Sequence, residues 1–334
     1  MFNLIVVYTF DLIKVRETYN LYFEFLLFSI ASVLRELASQ PNLNLRIYIY
    51  SQDVKLIEKE VRLNPQFRSE LISFFKIEPD KYNFNNRLTP VSNIVVKQFE
   101  SFTCHARFFI LKELLETQPD FNILYMDDDA CIAYGAGQRI VNKLSNTGVT
   151  ECMTSNFEYN NKIRDWFVSE YQRLTSVSDI ESKVRTNFSA MIAIKYGKQY
   201  EEQYDKTVLN NGIMYCPNNP KSLELITECI ELYRDLHTNF HPFIYNDQLA
   251  VSIVYHKHGH IKTMFNDNEL NGVYHFYCEK YLFPDEMRKL FTIVYKNRLT
   301  NKTIPMEQLE PQIQIIEKVF PTFRMLFISC DNRF

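Results

Sequence analysis

The stretch Ile123-Leu124-Tyr125-Met126-Asp127-Asp128-Asp129-Ala130-Cys131-Ile132 constrains this chain more than any other. A short, uniformly apolar run marks a strand buried on both faces, which belongs in a sheet sandwiched between helices. Three consecutive carboxylates then stop the run at its carboxyl end, where open α/β sheets gather their ligands. If the chain stays extended through the acids, Asp127 and Asp129 share one side and Asp128 faces the other. Two converging carboxylates repel unless a cation lies between them. Hard oxygen ligands suit Mg²⁺ or Mn²⁺, with a phosphate-bearing substrate completing the shell. The three acids alone describe a solvated turn equally well, so the rest of the chain must decide.

Strand and helix signals alternate around this stretch as a parallel sheet demands. Residues 4–8, 45–50 and 72–77 read as strands and 54–62 as a short helix. A longer helix over 17–39 carries Leu26, Ile30, Val33, Leu34 and Leu37 on its inner stripe, with Arg35 and Glu36 off it. A helix over 101–116 delivers Arg107 near the acids. Beyond them, 149–155, 188–194 and 213–216 read as strands, with Asn210-Asn211-Gly212 as the turn before the last. Pro220 opens an amphipathic helix over 220–237, and Asp247-Gln248 stands before another over 249–255. The polar stretch 156–183, which holds the lone Trp166, reads either as a helical insertion over the site or as an ordinary packed excursion. His256-Lys257-His258-Gly259-His260 has no neighbouring acids and reads as a polar strand edge or loop, not a second metal site. Helices alternate with loops after 283, and 325–329 looks like a late strand or packed arm.

Composition narrows the function classes. Net charge is −3 and the 37 basic residues are scattered, which excludes nucleic acid as a partner recognised by charge. With only 7 glycines the chain has neither a P-loop nor a dinucleotide fingerprint. Its 7 cysteines form no C-x-x-C pair and read as reduced, buried thiols. The apolar start lacks a basic leader and a small-residue cleavage site, and the run at 21–34 is interrupted by Glu24, Ser29 and Ser32. The expectation is a cytoplasmic protein without a membrane span.

Tyr125-Met126-Asp127-Asp128-Asp129 resembles the Y-L-D-x-D signature of GT-A glycosyltransferases, especially the family-eight group of glycogenin-like and galactosyltransferase-like enzymes. The order of the other elements adds to the likeness: Arg107 before the acids, Asn211-Gly212 and Asp247-Gln248 after them, then His275. The closing H-x-x-G-x-x-K motif of that family is matched in a divergent form by His275 to Lys280, with Cys278 where the pattern has Gly. The resemblance spans roughly residues 4–280.

What it implies is an α/β GT-A fold, a Rossmann-like nucleotide-diphospho-sugar transferase with a mixed sheet flanked by helices and C-terminal helical additions. Residues 1–282 would form the transferase domain, with 1–132 for the nucleotide and 133–282 for the acceptor, and 283–334 a helical extension. His275 would join Asp127 and Asp129 on Mn²⁺ or Mg²⁺, and Lys280 would meet the donor diphosphate. Tyr8 and Thr9 fall where the base binds, Arg107 near a donor phosphate or sugar, and Asp128 beside the metal. Asn211 and Gly212 would lie against the sugar or acceptor, and Asp247 and Gln248 against the reacting face. The donor would be a nucleotide sugar, a UDP-sugar above others, and the acceptor a glycan, protein or small molecule. The family retains anomeric configuration. Two rivals stay open: a haloacid-dehalogenase-type phosphatase, whose strand also ends in D-x-D, and an inactive nucleotide-sugar-binding protein.

Overall fold

β1 (Phe2–Phe10) sets the architecture through its alternation. Leu4, Val6, Tyr8 and Phe10 enter one apolar layer, while Ile5 and Val7 enter the other. β4 (Asn122–Met126) repeats the pattern, with Leu124 and Met126 on the first side and Ile123 and Tyr125 on the second. Both faces of these strands are covered, which is why they read as unbroken apolar runs. The computed structural model describes residues 1–10, 12–63, 67–77, 103–154, 209–239, 246–259, 272–275, 289–290 and 305–318.

Within these residues, β1 leads into α1 (Leu12–Leu37), then β2 (Leu43–Ser51), α2 (Val54–Arg62) and β3 (Ile72–Lys76). Asp53 caps α2, its side chain accepting from the Leu56 amide at 3.1 Å. α3 (Thr103–Thr117) precedes β4, and β5 (Ala130–Ile132) and α4 (Gly137–Ser145) follow it. β6 (Glu151–Thr154), β7 (Leu209–Cys216), α5 (Pro220–Asn239), α6 (Asn246–Lys257), β8 (Val273–His275) and α7 (Glu310–Glu317) complete the order.

Six strands form one sheet in the order β3-β2-β1-β4-β7-β6, and β5 pairs with β8 in a separate ribbon. β1 to β4 are mutually parallel, whereas β7 runs antiparallel to both β4 and β6. The sheet is therefore mixed, flanked by α1 on one face and by α3, α5 and α6 on the other. The parallel expectation holds only for the first four strands. Among the described residues no helix is long and apolar enough to cross a membrane.

α1 differs from the amphipathic helix expected at 17–39. It starts earlier, and its polar side is buried as well: Ser29, Ser32 and Glu36 are each 5 % exposed or less. The cause is β5, which covers that side. Among the described residues β5 pairs with β8 on one edge only, and an edge buried without partners is costly. α1 supplies the partners. Ser29 Oγ donates to the Ala130 carbonyl, Ser32 Oγ accepts from the Ile132 amide at 3.0 Å, and Arg35 Nη2 donates to the Ile132 carbonyl at 2.9 Å. Glu36 then accepts from the Gly137 amide at 3.1 Å, at the start of α4. Arg35 and Glu36 thus hold the ribbon and do not simply face water.

The stretch 156–183 with Trp166, the strand expected at 188–194 and the arm at 325–329 lie outside the described residues.

Candidate active site

The extended chain ends at Met126, before the acids. The Asp127 amide donates to the Gly212 carbonyl at 2.7 Å, and the Ala130 amide returns to the Asp127 carbonyl at 3.0 Å. The four residues 127–130 therefore form a turn, with Asp128 half-buried within it. Asp127 and Asp129 do converge, but by this turn and not by strand alternation. Ala130 then pairs with His275 across the ribbon, which carries the imidazole to the acids. His275 Nε2 lies 2.9 Å from Asp129 Oδ1 and 3.5 Å from Asp127 Oδ2. One ligand atom from each of the three residues falls within 4.8 Å of the others. Asp129 is fully buried and His275 is nearly so, while Asp127 keeps 23 % of its side chain exposed.

Gly212 clears the space these groups occupy. A Cβ there would collide with His275 Cε1 and approach Asp127 Oδ2 to 2.7 Å. Gly212 belongs to β7 itself, as do Asn210 and Asn211, so the turn expected before the strand is not formed. Cys152 pairs with Met214 but the next residue, Met153, pairs with Asn210, so Asn211, Gly212 and Ile213 bulge from the β6 side. Bulges re-aim side chains next to functional sites. This one presses Gly212 and Asn211 toward the carboxyl end of β4.

Arg107, on α3, is 4 % exposed and no surface residue. Its Nη1 donates to the Asn211 carbonyl at 2.7 Å and to Asn211 Oδ1 at 2.8 Å. Nη2 stands 3.4 Å from Asp127 Oδ1, and Nε 3.4 Å from Asp247 Oδ2. Asn211 Nδ2 closes the network on Asp247 Oδ2 at 2.8 Å. Burial pushes the Asp247 carboxyl above its ordinary range, and the Arg107 charge and Asn211 amide only partly oppose this. Asp247 sits in the first turn of α6, which begins earlier than expected, with Gln248 beside it. Asp247 Oδ1, Gln248 Oε1 and Asn210 Nδ2 are buried without a hydrogen-bond partner among the described residues. Native structures rarely leave such atoms unsatisfied. Asn210 is the residue sequence reasoning missed, because its Asn-Asn-Gly setting reads locally as a turn.

The two residues proposed at the end of β1 part company. Tyr8 is fully buried on the α1 side, its hydroxyl 2.9 Å from Ser29 Oγ, and burial raises its pKa. It packs there and does not face the acids. Thr9 Oγ1 lies 2.8 Å from Tyr125 Oη, which donates to Asp127 Oδ1 at 2.8 Å. Burial holds the Tyr125 phenol well above its ordinary pKa, so it stays protonated. Lys280 lies outside the described residues, one position nearer its His than the Lys of the H-x-x-G-x-x-K motif.

The expected loop at 256–260 is in part helix: α6 runs to Lys257, and His258 still donates its amide to the Val254 carbonyl at 3.1 Å. An acid from another helix meets it, Glu228 of α5, 2.6 Å from His258 Nε2 and bonded to Lys257 Nζ. His260 lies outside the described residues.

No family model and no curated protein sequence matches the chain. Among solved structures it is similar to the apo bifunctional glycosyltransferase WbbM, with 14 % identity, a TM-score of 0.46, and coverage of 78 % of this chain but only 38 % of WbbM. It is similar to mouse xyloside xylosyltransferase 1, with 12 % identity and a TM-score of 0.43 over 79 % of this chain and 85 % of that one. It is also similar to the galactosyltransferase LgtC in complex with donor and acceptor sugar analogues, with 13 % identity and a TM-score of 0.40 over 73 % of this chain and 69 % of LgtC.

Proposed function

We propose that the chain is a metal-dependent glycosyltransferase of GT-A type, moving a sugar from a nucleotide-diphosphate donor, a UDP-sugar above others, to an acceptor with retention. The observation that carries this reading is the convergence of Asp127, Asp129 and His275 around a glycine whose Cβ would fill their space. Two carboxylates and one imidazole fit a divalent ion, and the mixed oxygen and nitrogen set favours Mn²⁺ over Mg²⁺. Such an ion, when bound, neutralises charge on a departing diphosphate.

The chain's own residues do the rest. Arg107 locks Asn211 and Asp247 into one orientation beside Asp127, a preorganised polar network. Gln248, which keeps 9 % of its surface exposed beside the buried Asp247, supplies a polar contact for sugar hydroxyls. Asp247 is already engaged by Arg107 and Asn211, which favours front-face displacement over a covalent intermediate on that carboxylate. Thr9, Asp128 and Lys280 complete the donor side, with residues 1–132 for the nucleotide and 133–282 for the acceptor. The buried thiols of Cys152, Cys216 and Cys229 support a reducing, cytoplasmic setting, and burial pushes Cys152 up to about 12.

A phosphatase of the haloacid-dehalogenase type would need Asp127 as an attacking nucleophile. Its Oδ1 is held by Tyr125 and Arg107 and its Oδ2 faces His275, an arrangement suited to a ligand.

The test is thermal melting of the purified chain with UDP, GDP and their sugar conjugates, in Mn²⁺ and in EDTA, paired with an assay for nucleotide release. A uridine nucleotide is expected to raise the Tm only with the metal, because diphosphate and acids otherwise repel. Equal stabilisation in EDTA counts against a bridging ion. Binding with no release from any donor, with or without acceptor sugars, points to the inactive binding protein instead.

A further inference from the structure

We propose that Tyr125 and Thr9 are positioning residues for Asp127, forming a two-hydroxyl relay that turns its carboxylate toward the metal. The inference rests on the metal-site reading above.

Tyr125 is buried in the α3-facing layer of the sheet, with the Arg107 guanidinium 5.0 Å from its ring centroid. Packing accounts for the ring. The hydroxyl is a separate matter, since it lies between two oxygens, Thr9 Oγ1 and Asp127 Oδ1, each 2.8 Å away. An ionised carboxylate can only accept, so the single phenolic proton goes to Asp127. The bond on the other side must then run from the Thr9 hydroxyl to Tyr125 Oη. Both donors point the same way, from the end of β1 to the carboxylate, and in such a chain each bond polarises the next.

Asp127 is the ligand that needs the restraint. Asp129 is enclosed and bonded to His275, whereas Asp127 is 23 % exposed and stands where β4 has already ended. With Oδ1 held by Tyr125, Oδ2 is the oxygen left toward His275, at 3.5 Å. Partners of this kind orient metal ligands, and their loss typically lowers metal affinity 10- to 100-fold.

The experiment is a calorimetric titration of Mn²⁺ into the full chain as wild type, Tyr125→Phe and Thr9→Val, with melting of each in EDTA. Tyr125→Phe keeps the ring and its place over Arg107 and removes only the relay. The Mn²⁺ Kd is expected to rise about tenfold or more, with a smaller rise for Thr9→Val and little change of Tm in EDTA. Transfer by Tyr125→Phe should approach wild type at saturating Mn²⁺. Wild-type Mn²⁺ affinity in Tyr125→Phe overturns the relay, as does a lowered Tm in EDTA with unchanged affinity, which would mark a purely structural hydroxyl. If Tyr125→Phe does not fold, Thr9→Val decides by the same two readings. A wild-type chain that takes up no Mn²⁺ overturns the metal site itself, and differs from the other failures because all three titrations are then flat.

Discussion

The three residues proposed to hold a metal stand on two unlike supports. Asp127 hangs from the six-stranded sheet, where each central strand has a hydrogen-bonded neighbour on both edges and apolar layers on both faces. Asp129 and His275 stand on the β5–β8 ribbon, of three residues per strand, whose second edge is held by hydroxyls and a guanidinium from α1. The first support is made by backbone and apolar burial, the second by individual polar side chains. The difference teaches where a single substitution reaches the site. Point changes in the apolar layers of the main sheet are diluted over many contacts, whereas one hydroxyl on α1 carries a whole bond of the ribbon.

The largest expected effect tests whether both supports contribute to one centre. Asp127→Asn and Asp129→Asn should each lower kcat/KM by about 30- to 1000-fold, on the order of 2–4 kcal/mol, with partial recovery in excess Mn²⁺. Asp128→Asn should lose much less. If Asp128→Asn proves the most damaging of the three in steady-state kinetics, the turn does not present the acids as described.

Gly212→Ala comes next, because a Cβ there strikes one group from each support. Displacing either by about an ångström should reduce turnover about 100-fold. Wild-type kinetics in this variant would mean that Asp127 and His275 are never close together in solution.

Ser32→Ala addresses the ribbon alone. It strips the Ile132 amide of its acceptor, and a buried amide left so is worth about 1–3 kcal/mol. Hydrogen exchange followed by mass spectrometry should show β5 opening faster in the variant while β1 and β4 keep their protection. Equal acceleration in both would erase the distinction between the two supports.

Glu228→Gln lies outside both and sets the scale of an ordinary surface contact. Burial alone would raise the Glu228 pKa, but Lys257 and His258 outweigh it and the net shift is downward. The group therefore contributes stability that is present above its unfolded pKa and lost as pH falls through the folded one. Urea titrations near neutrality should show a deficit below about 1 kcal/mol in the variant, shrinking on acidification. A deficit that grows toward low pH is the opposite sign and would contradict the depressed pKa.

How much could be read from the sequence follows the same division. β1 and β4 declare themselves because burial on both faces writes an unbroken apolar run, and β2 because only Arg46 interrupts its own between Leu45 and Tyr50. The polar side of α1 was misjudged because local periodicity cannot foresee a second layer packing on it. Glu36 looks solvated until β5 and α4 are in place. Asn210 was hidden since an Asn-Asn-Gly run signals a turn locally, and only the mismatch with β6 makes it a bulge. His275 has no local signal at all and was found only through family resemblance.

The pairing of Ala130 with His275 also dictates when the centre can come into being. The hydrogen bond from His275 to Asp129 joins residues 146 positions apart, whereas β1 finds β2 across a single helix. Loop closure over a long span is entropically dearer, and contacts of that range form late. During synthesis, nearly half the chain must follow the acids before their imidazole partner exists. Until then Asp127 and Asp129 lack the imidazole, so the proposed ion uptake waits until synthesis has passed His275 and the ribbon has formed.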